Sequence, residues 1–503
     1  MGTKNFSNAN DLITFSRASG GTALRKVAYS PELVTNGTFD TDLTGWPSGG
    51  SDGASASVVG ASARLVGNSY ISQAISGLTA GQLHTMTVDI PETNSQGSVR
   101  IGTAVNVGDL YDSPTQTSAT TLTTTFVPSG TSVFVTLKAE GTIGNTSLYM
   151  DFDNVSVKEV LFDQGDLTLF NHPAGIPRIE YDADGNVLGL LVEESRTNLV
   201  TYSEDFSQWS AVGAGTSIVS LSELDPAGSS NAALIKNTGG AYSIASSNIT
   251  TSLGDTYTVS FWVKSAGLGN DSFRLYFDGS VISGNFTATS EWQRFSFTGT
   301  SDGSGSVAVT RNTSNDPFDL YIWGAQLEAG DFPTSYIPTA GATATRSADV
   351  ASIPVADFGY NQTNVVGTFY VEFSTPFAAI SGVAGRGLSV TSTLGTGDRT
   401  LDCASQNGTA IDVYSNHTIS ALYNLTPYVS DGFNKVAATM KENDSAACNN
   451  GGTVVTDTTT TVPIDAVYFN IGKYNTSYTN GHIKSIRYYP RRLTNAQLQE
   501  LTT

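Results

Sequence analysis

Gly49–Gly53 and Gly299–Gly303 both spell Gly-x-Ser-x-Gly, the spacing with which a nucleophile elbow holds a serine exposed between a strand and a helix. Neither stretch is followed by a helical pattern, and a chain rich in Gly and Ser yields such strings by chance, so neither serine is assigned as a nucleophile. Glycoside hydrolysis needs two carboxylates facing each other across about 5–10 Å. Glu193 and Glu194 are adjacent, which in a strand sends them to opposite faces, and Glu372 stands alone among Tyr370, Val371 and Phe373. The four histidines, His84, His172, His417 and His482, show no metal-binding spacing; His84 and His482 adjoin strand patterns and read as surface or edge residues. A calcium loop is the sharper reading of Asp182-Ala183-Asp184-Gly185-Asn186, a hairpin turn between two apolar flanks the favoured one. Cys403 and Cys448 read either as one bridge across neighbouring strands or as two small buried thiols. The expectation is a protein that is not an enzyme and requires no cofactor.

Bulk properties narrow the setting of these residues. A chain of 503 residues is too long for one core and suggests roughly three domains. Its formal charge is −20, from 45 acidic against 25 basic residues; such a surface repels phosphate, so nucleic acid and anionic membranes are poor partners. No run of about 18 apolar residues exists to span a bilayer. The opening Met1 to Leu12 has no apolar core of the kind an exported protein carries.

Short strands and turns must position whatever these residues do. Charged residues are only 14% of the chain while Gly numbers 51, a balance that suits strands of Thr, Val, Tyr and Phe between tight turns. Thr256–Lys264, Phe273–Phe277 and Arg294–Phe297 alternate with period two, the mark of strands with one buried face. A long degenerate repeat is also present. Leu33-Val34-Thr35, then Phe39 and Trp46, is echoed by Leu199-Val200-Thr201, then Phe206 and Trp209. Met86, Val88 and Ile90 are echoed by Tyr257, Val259, Phe261 and Val263. The tryptophans of the repeat read as core anchors, and Trp262 and Trp323, in strand patterns, read as buried too. The only credible helix closes the chain, where Thr494 and Gln497 have capping-box spacing and Leu498 and Leu501 share a face. The fold class is all-β: three β-sandwich or jelly-roll domains in a row and one short C-terminal helix. The boundaries read as an N-terminal arm (1–32) for docking, a first module (33–160), a linker with a β-hairpin (161–195), a second module (196–337) and a last sandwich (338–503).

Several linking segments carry a resemblance. Phe15-Ser16-Arg17-Ala18-Ser19, Pro177-Arg178-Ile179-Glu180-Tyr181, Leu190 to Leu199, Tyr202-Ser203-Glu204-Asp205-Phe206, Gly324-Ala325-Gln326-Leu327-Glu328 and Pro333-Thr334-Ser335-Tyr336-Ile337-Pro338 resemble a recurring pattern in phage tail-fibre and other virion structural proteins. The ending Gly481 to Pro490 extends it. In that family the first pattern runs directly into the second, so residues 33–160 look like an insertion. Asn36-Gly37-Thr38-Phe39 and Asp153-Asn154-Val155-Ser156-Val157 are similar to carbohydrate-binding modules of the jelly-roll type, and the last domain resembles a concanavalin-A-like or laminin-G-like sandwich.

The resemblance implies a virion location, homotrimers, contact with other virion proteins and contact with host-surface polysaccharide. Modules of this type often tie their two ends with carboxylates, which makes Asp40, Asp151 and Asp153 candidates for a structural calcium, against the reading of solvated turn acids. In the last domain Asp398, Arg399, Tyr474, Tyr478 and Asn480 lie in Gly-, Thr- and Asn-rich loops and are candidates for a carbohydrate-binding surface. Two functions remain open: a fibre, spike or baseplate-associated protein that adheres to host glycans, or a purely architectural head or tail protein using the same folds for packing.

Overall fold

His84–Ile90 shows how the strands arise: His84, Met86, Val88 and Ile90 are buried while Thr85, Thr87 and Asp89 are half-exposed. That alternation gives one face to a core and the other to water. The computed structural model describes residues 13–503 apart from 52, 143, 212–214, 239–243, 247–248, 268–270, 279–280, 304, 312–315, 359, 361–365, 377–384, 394–395, 407–409, 416–419, 431, 461 and 463–465. For 220–222, 245–246, 358, 393, 396–402, 404–406, 410, 414–415 and 420–424 it describes the backbone alone. Among the described residues the chain is all-β with one α-helix at its C-terminus. The chain divides into two units, Lys26–Asp166 and the combination of Met1–Arg25 with Leu167–Thr503.

The first unit is a two-sheet module. One sheet runs Thr120–Phe126, His84–Ile90, Tyr149–Phe162, Ser62–Val66, Ser55–Val59; the other runs Ser48–Gly50, Ser69–Ser76, Ser132–Ala139, Gly97–Gly102, Tyr111–Asp112. Their inner faces enclose a core that includes Phe39, Trp46, Met86, Val135 and Phe152. Trp46 is 2% exposed, packs 5.4 Å from Phe39, and donates its indole N–H to the Thr35 and Asn36 carbonyls. His84 is fully buried and stacks on Phe126 at 5.5 Å. The expected surface or edge position is corrected, because His84 falls in phase with Met86 and Val88 on the core face.

Within the second unit, the region after Arg196 repeats this order strand for strand. Gln293–Thr300, Thr256–Ser265, Phe318–Ala329, Ala232–Asn237 and Thr216–Glu223 form one sheet. Ser210–Ala211, Ile244–Ser246, Val307–Arg311, Asp271–Phe277 and Val281–Ile282 form the other. Trp209 takes the place of Trp46, buried 5.0 Å from Phe206 and donating to the Tyr202 carbonyl. Trp323 is buried and Trp262 only partly so. Gly324, at φ +65°, stands where the register between Thr256–Ser265 and Phe318–Ala329 slips. A side chain there would crowd the Trp262 ring at 3.0 Å, so a β-bulge explains the glycine.

The last sandwich is assembled from three separated stretches. Its first sheet runs Thr14–Ser16, Val350–Pro354, Tyr468–Ile471, Arg386–Thr393, Thr396–Gln406, Ala410–Ser415, Ser420–Leu425. The second runs Ile179–Tyr181, Val187–Val192, Gly481–Tyr489, Gly367–Ser374, Phe433–Met440, Ser445–Asn449, Val455–Asp457. Val192, Val371, Phe373, Leu388 and Ile471 meet in the core between them. The expected boundary at 338 is therefore corrected. Part of the presumed docking arm is an edge strand of this sandwich, with Phe15 opposite Ala351, and the linker hairpin supplies two strands through Leu191 opposite His482. Those strands bury their apolar face only here, which is why they belong to this domain.

Asp182–Asn186 is a turn: Asp182 accepts the Asn186 amide at 2.8 Å and donates its own to the Asn186 carbonyl at 2.9 Å. Glu193 stands twelfth from Asp182, the place of an EF-hand's bidentate Glu, but it is buried in the ion cluster described below. Thr494 and Gln497 form the capping box of helix Asn495–Thr502, and Leu498 is fully buried against Tyr370 and Ala437. Cys403 and Cys448 do not form a disulfide: one lies in the inter-sheet core, the other with the residues beneath the helix.

Candidate functional site

The charged residues of the linking segments converge inside the protein. Arg17 follows the N-terminal edge strand, Arg178 precedes the hairpin, Glu193 follows it, and Arg346 and Asp349 precede Val350–Pro354. Asp349 receives Arg17 Nη1 at 3.1 Å through Oδ1 and Arg178 Nη2 through Oδ2, and all three side chains are fully buried. Arg178 Nη1 lies 2.8 Å from Glu193, and Arg346 Nη2 lies 3.6 Å from it. Three guanidinium groups thus share two carboxylates. The excess positive charge is met by carbonyls: Arg17 donates to Ser19, His172 and Pro173, and Arg346 to Glu194. Desolvation alone would raise the Glu193 carboxyl, but Arg346, Arg178 and Ser335 outweigh it and hold the group well below the usual carboxylate range.

A neutral polar layer extends the cluster. Ser335 donates its amide and hydroxyl to Glu193 at 2.8 and 2.7 Å. Thr334 does the same for Glu328, both at 2.7 Å. Asn198 is completely buried; it donates to the Ala325 and Ile337 carbonyls and accepts from the amides of Val200 and Leu327. Tyr336 reaches Glu204 at 2.8 Å. Such networks hold distant segments in one register more than they add net stability.

His172 adds a titratable group to this interior. Its Nδ1 lies 3.2 Å from the Phe170 carbonyl and its Nε2 3.4 Å from Arg25, so the proton sits on Nδ1 and Nε2 accepts. Burial, then the cations Arg25, Arg178 and Arg17, push its pKa well below the usual 6.5. With the folded value below the unfolded one, only the unfolded chain takes up this proton, so stability falls as pH drops through that window by about 1.4 kcal/mol per unit. Glu193 loses its contribution as pH falls below its ordinary value of 4.5. Denaturant titrations are expected to show decline beginning near pH 6.5; a His172→Gln variant should lose the slope that begins there and keep the one below 4.5. An unchanged slope in that variant would place the titration elsewhere.

An open groove of about 770 Å³ lies on the second module, lined by Tyr202, Glu204, Asp205, Trp209 and Asn231 among others. Burial raises the Glu204 carboxyl, offset in part by the Tyr336 hydroxyl. Asp205 is lowered by the Ser207 hydroxyl and amide, and it caps the short turn Phe206–Gln208. Both carboxylates therefore have structural partners, and as chain neighbours they do not form an opposed pair across the groove. Aromatic edges beside carboxylate and amide oxygens suit a polyhydroxylated ligand.

The candidate residues read from sequence are dispersed. Tyr474 and Tyr478 share a small hairpin, Lys473–Tyr474 with Ser477–Tyr478. Asn480 is half-buried, its amide clamping the Glu194 N–H at 3.0 Å and carboxylate at 3.2 Å. Asp398 and Arg399 lie in strand Thr396–Gln406, and their side chains lie outside the described residues. Asp151 is held by Arg64 through two bonds of 2.8 and 2.7 Å, so its charge is already satisfied. Asp40 is exposed and holds Thr38. Asp153 is half-buried, and burial, with Asp89 and Asp40 nearby, raises its carboxyl. Among the described residues no three His, Cys, Asp or Glu side chains converge as a metal site. His482, also read as a surface or edge residue, is partly buried in an inner strand 2.7 Å from Glu180.

No protein-family model and no curated protein matches the chain. Among solved structures it is similar to a CBM4 module, at 19% identity over 25% of this chain and 99% of that one, with a TM-score of 0.20. It is also similar to the tandem CBM22-1–CBM22-2 domains of Paenibacillus barcinonensis Xyn10C, at 12% identity over 61% and 99% of the chains, TM-score 0.21. A third is Trypanosoma rangeli sialidase, at 11% identity over 86% and 82%, TM-score 0.26.

Proposed function

We propose that this chain is a surface protein of a bacteriophage particle that adheres to host-surface glycans without breaking bonds. The observation that carries the adhesive part is the module present twice with ten strands in a shared order, each copy inserted into the chain of a sandwich whose linking charges are consumed internally. A repeated module, with a polar–aromatic groove on its second copy, suits recognition of a repeating polymer, because contacts from two modules on one chain raise the effective concentration of the second contact. The virion setting, the homotrimer and the other virion proteins as partners rest on the likeness of the linking segments. The test is mobility of the full chain in native gels cast with bacterial surface polysaccharides, alongside an assay for new reducing ends. Retardation by at least one polysaccharide with no reducing ends is expected. Release of reducing ends would make it a hydrolase, and unretarded migration across a broad panel would leave packing between coat proteins as its role.

A further inference from the structure

The two modules carry the same cross-strand pair on the sheet face turned away from the core. In the first, Arg100 on Gly97–Gly102 stands opposite Thr136 on Ser132–Ala139; in the second, Arg274 on Asp271–Phe277 stands opposite Thr310 on Val307–Arg311. Core neighbours keep the register, Ile101 against Val135 and Leu275 against Val309. What holds the two arginines differs. Arg100 gives Nε to Asp112 at 3.0 Å and Nη1 to Asn106 at 2.8 Å, and its Nη2 lies 3.8 Å from Glu140. Arg274 gives only Nε to the Arg311 carbonyl at 2.9 Å; its two terminal nitrogens have no protein partner among the described residues. Asp112 is the cross-strand neighbour of Arg100. Beside Arg274 the corresponding chain bends through residues 283–285, between Val281–Ile282 and Phe286–Ala288.

Tyr276 lies two positions along the strand from Arg274, on the same half-exposed face, about 6–7 Å away. On the middle strand the residues between them, Ala308 and Thr310, are small and buried, while Arg274 and Tyr276 keep partial exposure. We propose that this face of the second module binds a carboxylated sugar residue, the guanidinium taking the carboxylate through its two free terminal nitrogens and the Tyr276 ring stacking on the sugar's C–H face. The assignment rests on the adhesion reading and narrows it to acidic glycans. It also makes the anion preference local, since a chain of net charge −20 has no general attraction for polyanions. The first module's equivalent face does not take a carboxylate, because Asp112 and Glu140 already occupy Arg100.

The test compares the full chain with Arg274→Gln, Arg274→Lys and Arg100→Gln in native gels containing polygalacturonate, neutral galactomannan or dextran sulfate, with melting curves as a fold control. Wild type is expected to be retarded by polygalacturonate, and Arg274→Gln to weaken that at least about tenfold while leaving neutral binding unchanged. Arg274→Lys keeps the charge and most of the stem but not the bidentate fork, so it should fall between them; Arg100→Gln should match wild type. The proposal is overturned by equal retardation of Arg274→Gln, or by a wild type that responds only to galactomannan or only to dextran sulfate. Failure on all three together with the broad panel would sink the adhesion reading itself.

Discussion

Replacing Asp349 with Ala is expected to destabilise the unit formed by Met1–Arg25 and Leu167–Thr503 by about 3–5 kcal/mol. Its two oxygens are the anion for Arg17 and Arg178 and accept the Glu193 amide at 2.9 Å. Without them three buried guanidinium groups are left with Glu193 alone, and an uncompensated buried charge is among the costliest defects a fold can carry. Asp349→Asn keeps the shape and one acceptor but not the charge, and should fall between wild type and Ala. The exposed Asp40→Ala should change stability by no more than about 0.5 kcal/mol. Urea unfolding followed by tryptophan fluorescence reads this, and the separate core of Lys26–Asp166 serves as the internal reference. A loss below about 1 kcal/mol for Asp349→Ala would mean that water reaches the cluster and that the arginines are ordinary surface groups.

The contrast between what the sequence disclosed and what it hid follows from the physics of each signal. Period-two alternation in segments such as Phe273–Phe277 marked strands because one face is buried against a core; in Thr256–Ser265 Thr258 and Ser260 are buried as well, so both faces are covered there. The echo of Phe39 and Trp46 in Phe206 and Trp209 has its counterpart in two aromatic pairs at equivalent places in a shared strand order. Thr494 and Gln497 announced the helix because capping is local. The ion cluster was hidden for the opposite reason. Arg17 and Asp349 are 332 positions apart, and Arg178 and Asp349 171 apart, and nothing in the type of an arginine distinguishes a buried one from a solvated one. The same blindness hid that the Asn480 amide clamps Glu194, and that part of the N-terminal docking arm pairs into the last sandwich. A three-residue strand such as Thr14–Ser16 is too short to show a period. Arg274 was equally unmarked, since its interest comes from comparison with Arg100 on a shared topology.

The claim on which the account stands is that the linking segments are architecture, so that contact with other molecules falls to the faces of the inserted modules. Thr14–Ser16 pairs with Val350–Pro354, and Arg17 is anchored at Asp349. Hydrogen–deuterium exchange of the full chain tests this most directly, in peptides covering Thr14–Arg25. The bonded amides there are predicted to exchange at least about a thousandfold more slowly than in an unfolded peptide, as about 4 kcal/mol of opening free energy requires. They should also open together with Gly367–Ser374 in the middle of the sandwich. Complete exchange of Thr14–Arg25 within seconds, while Gly367–Ser374 stays protected, would show a detached arm and contradict the account.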